Sequence, residues 1–214
     1  MKIGIIGSGI VGRVLATAFI KEGYDVMLGT RSISKPEVLK WKDENPTGDV
    51  GELSITSKFG DIIVLATKGH AVLEALKQAG PENFTGKIVI DATNPIDETK
   101  PPVNGVLKFF TPQNSSLLQQ IQDYLPEAKL VKAFNSVGNA IMYKPHHSPP
   151  PTMFICGNDE GAKETVTGIL TAFGWETTDL GKAESAGVIE SLCILWCIPG
   201  FLQNSWSHAF KLVK

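Results

Sequence analysis

Residues 2–32 read KIGIIGSGIVGRVLATAFIKEGYDVMLGTRS. The opening KIGII is a short apolar run of the kind that forms a strand buried on both faces. After three closely spaced glycines, the run from Ile10 to Glu22 sets Val11, Val14, Leu15, Ala18 and Phe19 on one side at helical spacing. That makes it a helix packed on a sheet. Gly23 ends it, and DVMLG at 25–29 begins a second strand. Strand, turn, helix and strand within one short stretch form a β-α-β unit, which places the chain in the α/β class.

The turn carries its own chemistry. Gly7, Ser8, Gly9, Ile10, Val11 and Gly12 form a G-x-G-x-x-G between a strand and a helix, the context that gives this pattern meaning. Gly7 permits the tight turn, Gly9 lets a pyrophosphate approach the backbone, and Gly12 lets the helix pack close to the strand. The helix N-terminus offers unpaired N–H groups and a positive dipole end to phosphates. A dinucleotide site is therefore expected here.

About 20 residues past such glycines, NAD-binding chains carry an acidic residue for the adenosine ribose, whereas an arginine accommodates a 2′-phosphate. This chain places Thr30, Arg31 and Ser32 there, with Lys35 close by and no carboxylate between Val26 and Pro36. Charge-assisted hydrogen bonds to a phosphate contribute about 1.5–3 kcal/mol each. NADP(H) is expected over NAD.

Further along, apolar runs alternate with amphipathic stretches. Strands are expected at 52–56 (ELSIT), 61–66, 87–92 and 129–134, and helices near 70–79 and 114–124. Asn94 to Pro112 is a long Pro-rich irregular piece, of the sort that tends to be functional or mobile. After residue 135 come a Pro-rich turn, a strand (TMFICG), a helix over 159–173, a short strand (WETTDLG) and an apolar helical tail to Lys214. The expected architecture is a Rossmann-type, doubly wound, mainly parallel sheet. Residues 1–135 form the NADP-binding domain, and 136–214 form a small helical C-terminal extension that completes the acceptor cleft.

In such a sheet the ligand crosses the carboxyl ends of the strands. The exits that matter are Ala66, Thr67 and Lys68 after the fourth strand, Asn94 and Pro95 after the fifth, and Asn135 after the sixth. Asn, Ser and Pro also belong to ordinary turns, so both readings stand for each residue. His70 is either a site histidine or a capping and surface residue.

Composition narrows the function classes. The chain has 214 residues, 43% hydrophobic and 20% charged, with a formal net charge of −2. That balance opposes general nucleic-acid binding, which needs clustered Lys and Arg. The run LCILWCIPGFL at 192–202 is shorter than the roughly 20 residues of a membrane span, and no targeting signal follows Met1. A cytoplasmic protein with no membrane association is expected. Three cysteines, two of them four apart in an apolar run, look like reduced core thiols. His146 and His147 lack a spaced third ligand, so no metal is expected.

The stretches IGIIGSGIVGRVLATAFIKEGYDVMLGTRS, VIDATNP, KAFNSVG and GNDEGAKETVTGILTAFGWETTDLG resemble the NADPH-dependent coenzyme F-420 reductase family, also seen as the cytoplasmic reductase domain of six-transmembrane metalloreductases. The resemblance implies a Rossmann fold holding NADP(H). It also implies hydride transfer between the nicotinamide and a small-molecule redox acceptor, a flavin or deazaflavin ring, in a cleft lined by the C-terminal extension. It assigns NADP to the glycine loop with Thr30, Arg31 and Ser32, and puts Thr67, Asn94 and Asn135 near the ring and nicotinamide. The tail ESLCILWCIPGFLQNSWSHAF departs from the family pattern.

No acid–base dyad is visible and no catalytic residue is named. Hydride transfer between stacked rings depends on positioning, with the reactivity supplied by the cofactors. Two alternatives stand beside this one: an NADP-binding sensor or partner-binding module without turnover, and a reductase of a small organic substrate, which normally brings a longer helical domain. Trp196, Phe201, Trp206 and Phe210 line the acceptor cleft, a dimer interface or the core. A homodimer is expected, because the apolar tail otherwise leaves a large exposed patch.

Overall fold

The first β-α-β unit forms as its residues require. In the computed structural model, which describes residues 1–213, β1 (Lys2–Ile6) is buried from Ile3 onward. Helix α1 (Ile10–Lys21) buries Leu15, Ala18 and Phe19, and β2 (Asp25–Gly29) pairs in parallel with β1. The remaining strands are β3 (Asp49–Gly51), β4 (Ile62–Leu65), β5 (Ile88–Asp91), β6 (Lys129–Lys132), β7 (Thr152–Gly157) and β8 (Glu176–Asp179). The remaining helices are α2 (Pro36–Glu44), α3 (Leu53–Phe59), α4 (Val72–Ala79), α5 (Leu117–Tyr124), α6 (Glu160–Ala172) and α7 (Ala186–Gln203).

All eight strands make one sheet in the order β3-β2-β1-β4-β5-β6-β7-β8. Only β6 and β7 pair antiparallel. The first six strands have the Rossmann order, with the reversal point between β1 and β4. Residues beyond 135 add β7 and β8 to the same sheet and cover it with α6 and α7. One face packs Phe19, Trp41, Phe134 and Phe173 under α1, α2 and α6, while the other packs Leu76, Leu118, Ile121 and Ile189 under α3, α4, α5 and α7.

Three local expectations are corrected. ELSIT is not a strand: β3 ends at Gly51 and Leu53 starts α3. The sequence alternates over too few residues to separate the two periods, and Leu53, Thr56 and Ser57 are the buried positions, three and four apart. Glycines on the sheet let α3 settle close, since a Cβ on Gly4 would stand 2.6 Å from Thr56 O and one on Gly29 3.0 Å from Thr56 Oγ1. Helix α2, which begins at Pro36, fills a stretch left without an element.

The tail is not helical throughout. Asn204 turns left-handed at φ 52°, and residues 204–213 run back irregularly to β7, where Thr152 N donates to Phe210 O at 2.8 Å. Lys214 lies outside the described residues.

The apolar helix is also longer than 192–202. Ala183–Gln203, α7 with its leading turn, spans 21 residues and contains an 18-residue stretch of mean hydropathy 1.7, long and apolar enough to cross a membrane by length and composition. Here it buries Ile189, Glu190, Cys193 and Trp196.

Candidate functional site

The glycine loop has the geometry its spacing predicts. Gly7 sits at φ +121°, and a Cβ there would fall 2.6 Å from Ala66 O. A Cβ on Gly12 would fall 1.9 Å from Gly7 O, so this glycine lets α1 close on the turn. Gly9 has open space where its Cβ would be. It is also the N-cap of α1 and caps it with no side chain, so the helix start presents bare N–H groups.

Thr30 ties this loop to the exit of β2. It is buried, and its Oγ1 accepts from Ser8 Oγ at 3.0 Å and from Ser32 N at 3.2 Å. Arg31 stands exposed and Lys35 half-buried beside it, and among the described residues no carboxylate pairs with either. An anion at this exit meets cations without a competing partner.

A cleft of about 700 Å³ runs along the carboxyl edge from this exit. It brings together Gly7, Ser8, Gly9, Ile10 and Val11 of the loop, Thr30, Arg31 and Lys35 of the second exit, and Ala66, Thr67 and Lys68 of the fourth. Gly12 lies beneath the loop and Ser32 beside Thr30, neither lining the cleft. Asn94, Pro95 and Asn135 also lie outside its lining, past Ala92, at the exits of the two adjoining strands.

Those exits are clasped to each other. Asn94 Nδ2 donates to Asn135 O at 2.7 Å, and Asn135 Nδ2 donates to Asn94 Oδ1 at 3.1 Å and to Ile189 O of α7 at 3.0 Å. Among the described residues, two buried oxygens along this edge have no partner, Thr67 Oγ1 at the β4 exit and Asn135 Oδ1 at the β6 exit. The rim residues Lys68 and His70 both reach Glu98 of the long irregular segment, at 2.8 and 3.4 Å.

Sequence reasoning missed one wall. Ala71, Glu74, Ala75 and Gln78 of α4 and its leading turn face the cleft, as does Leu53. The small residues at 71 and 75 were the available signal, and the misassigned strand hid Leu53. The C-terminal aromatics do not line the cleft. Trp196 is buried, stacks on His208 at 5.0 Å and donates from Nε1 to His208 O at 2.7 Å. Phe201 and Trp206 are exposed, and Phe210 lies along β7.

A family model described as NADP oxidoreductase, coenzyme F-420-dependent, matches residues 2–95. A solved structure from Arthrobacter sp. FB24, provisionally named an F-420-dependent NADP reductase, is 30% identical, with 100% of both chains covered and a TM-score of 0.94. The chain belongs to the coenzyme F-420-dependent NADP oxidoreductase family.

The F-420-dependent NADP reductase of Methanocaldococcus jannaschii is 28% identical over 205 residues, 90% of this chain and 89% of that protein. Metalloreductase STEAP3 of Rattus norvegicus is 25% identical over 205 residues, and the match spans 96% of this chain but 38% of that longer protein. As a member of this family, the chain is an NADP-dependent oxidoreductase. The site suits that cofactor on its own geometry: open backbone at Gly9, an uncapped helix start, unpaired cations at the β2 exit and orphaned oxygens further along the edge.

Proposed function

We infer that this NADP oxidoreductase passes a hydride between the nicotinamide of NADP(H) and a flat flavin-like or deazaflavin ring. The observation that carries this reading is a cleft with cations and a glycine turn at one end, beyond which the same sheet edge carries the uncharged, hydrogen-bonded Asn94 and Asn135 at the β5 and β6 exits. The pyrophosphate would lie on the glycine loop, the 2′-phosphate against Arg31, Thr30 and Lys35, with Ser32 beside them. Thr67, Asn94, Pro95 and Asn135 would frame the nicotinamide. NADP(H) supplies the hydride; the protein's part is to orient the ring and keep water from it.

No acid or base is needed on this account, only two rings held at near-attack distance. The names of the relatives support a redox acceptor, and the C-terminal region would complete its cleft. We further infer a cytoplasmic homodimer in which α7 serves as the subunit face and not as a span. Val188, Leu195 and Leu202 are exposed along it, and Val103 and Val106 are exposed nearby, where Gly105 abuts Leu202.

Anaerobic NADPH oxidation against coenzyme F-420, FMN and a quinone tests the reading. Turnover with at least one isoalloxazine-type ring is expected. NADPH binding without oxidation by any of them would make the protein a sensor and overturn it.

A further inference from the structure

Lys132 ends β6 with no exposed surface. Its Nζ donates to Asp91 Oδ2 at 2.7 Å, to Glu190 Oε1 at 2.8 Å and to Thr93 O at 2.9 Å, so every ammonium proton is taken. Asp91 Oδ1 accepts from Thr93 N and Thr93 Oγ1, at 2.9 and 2.6 Å. Glu190 accepts from Leu117 N and Leu118 N, at 3.0 and 3.1 Å, in the first turn of α5. Two carboxylates and one ammonium leave a single negative charge, facing the positive end of that helix. Burial alone would pull the lysine's pKa down; Asp91 and Glu190 outweigh it and hold it above the usual value.

Stability does not account for such a cluster. Desolvating three charges offsets most of their attraction, and apolar residues of the same volume often do as well or better. Its location accounts for more. Thr93 precedes Asn94, Ile189 precedes Glu190, and Lys132 opens the run that reaches Asn135 through Phe134. Phe134 itself is fully buried at φ +62°, a conformation costly for a bulky residue and held only where its surroundings impose it. Each charged member thus lies within three residues of a group in the Asn94–Asn135–Ile189 clasp.

We propose that Asp91, Lys132 and Glu190 are positioning residues that fix this clasp, and through it the nicotinamide end of the cleft. The proposal rests on the reading that the nicotinamide lies at the β5 and β6 exits. It predicts an effect confined to one end of the cofactor.

The test compares two ligands on the full chain: NADPH, followed by its dihydronicotinamide fluorescence, and 2′,5′-ADP, which carries only the adenosine end. The charge-free triple variant Asp91→Asn, Lys132→Met, Glu190→Gln should weaken NADPH about tenfold, the size of one well-placed hydrogen bond, and shift its emission. Its affinity for 2′,5′-ADP should stay within about twofold. If the triple variant fails to fold, Thr93→Val, which removes a single hydroxyl, should show the same asymmetry at smaller size.

Equal weakening of both ligands would reduce the network to a structural role and overturn the proposal, as would no change in either. A wild-type protein that bound 2′,5′-ADP but gave no dihydronicotinamide response would overturn the underlying reading of the site, and the proposal with it.

Discussion

Along the β1, β2 and β4 exits the cleft surface draws heavily on backbone: a glycine turn, an uncapped helix start and short side chains tied over modest spans, Thr30 to Ser32 two positions apart and Ser8 to Thr30 22 apart. Along β5 and β6, past the lining of the cleft, the sheet edge is shaped by side chains reaching far across the sequence. Asn94 meets Asn135 41 positions away, and Glu190 meets the start of α5 73 positions away. The first region is specified locally and should tolerate damage elsewhere. The second exists only once β5, β6, α5 and α7 have assembled.

The largest expected effect breaks the first region. Gly12→Val would drive side-chain atoms into Gly7 O, already 1.9 Å from an ideal Cβ. It should cost about 3 kcal/mol or more of stability and abolish NADPH binding, read by urea unfolding and by titration. Gly9→Ala sharpens the point. With open space around its Cβ, the fold should keep its melting temperature while NADPH affinity falls.

Arg31→Ala should leave stability unchanged, because the residue is exposed. It should lower the preference for NADPH over NADH by ten- to a hundredfold, or about 1.5–3 kcal/mol. Parallel titrations with both cofactors measure it, and an unchanged ratio would remove Arg31 from the 2′-phosphate site.

The second region should respond in the opposite pattern. Asn135→Ala removes both its donated bonds and leaves Asn94 Oδ1 and Ile189 O short of a donor, so about 1–3 kcal/mol of stability should be lost. The NADPH/NADH preference should not move.

The smallest effect concerns the segment joining β5 to α5. Hydrogen bonds from Lys100, then from Thr99, hold the Asp97 carboxyl at about 2. Because its folded pKa is depressed, the contribution is complete above the ordinary aspartate value of about 3.9 and is lost as the pH falls through about 2. Hydrogen-exchange protection of the Val103–Val106 bridge should therefore survive to below pH 3 in the wild type, and Asp97→Asn should make it insensitive to pH over that range.

The same contrast explains what the sequence revealed. G-x-G-x-x-G and the Thr30-Arg31-Ser32 exit are local patterns with a single physical purpose, and the cleft includes nearly all of their residues. Asn94 and Asn135 were legible as polar strand exits, but their mutual clasp depends on which strands become neighbours. Nothing near Lys132 in the chain points to Asp91 or Glu190. The α4 wall was hidden because alanines facing a ligand look like alanines facing a core. ELSIT failed for a different reason, since five residues can satisfy either period until the glycines of the sheet admit a helix.

The central claim is direct hydride passage between two rings, and isotope transfer tests it most closely. NADPH deuterated on one face of C4, mixed anaerobically with the protein and a deazaflavin, should deliver its deuterium to the carbon at the acceptor's reducible position, where it does not exchange with water. Label retained in the reduced deazaflavin from one face of NADPH alone is the predicted result. Reduced acceptor carrying solvent hydrogen, or no reduced acceptor from protein saturated with NADPH, would contradict it.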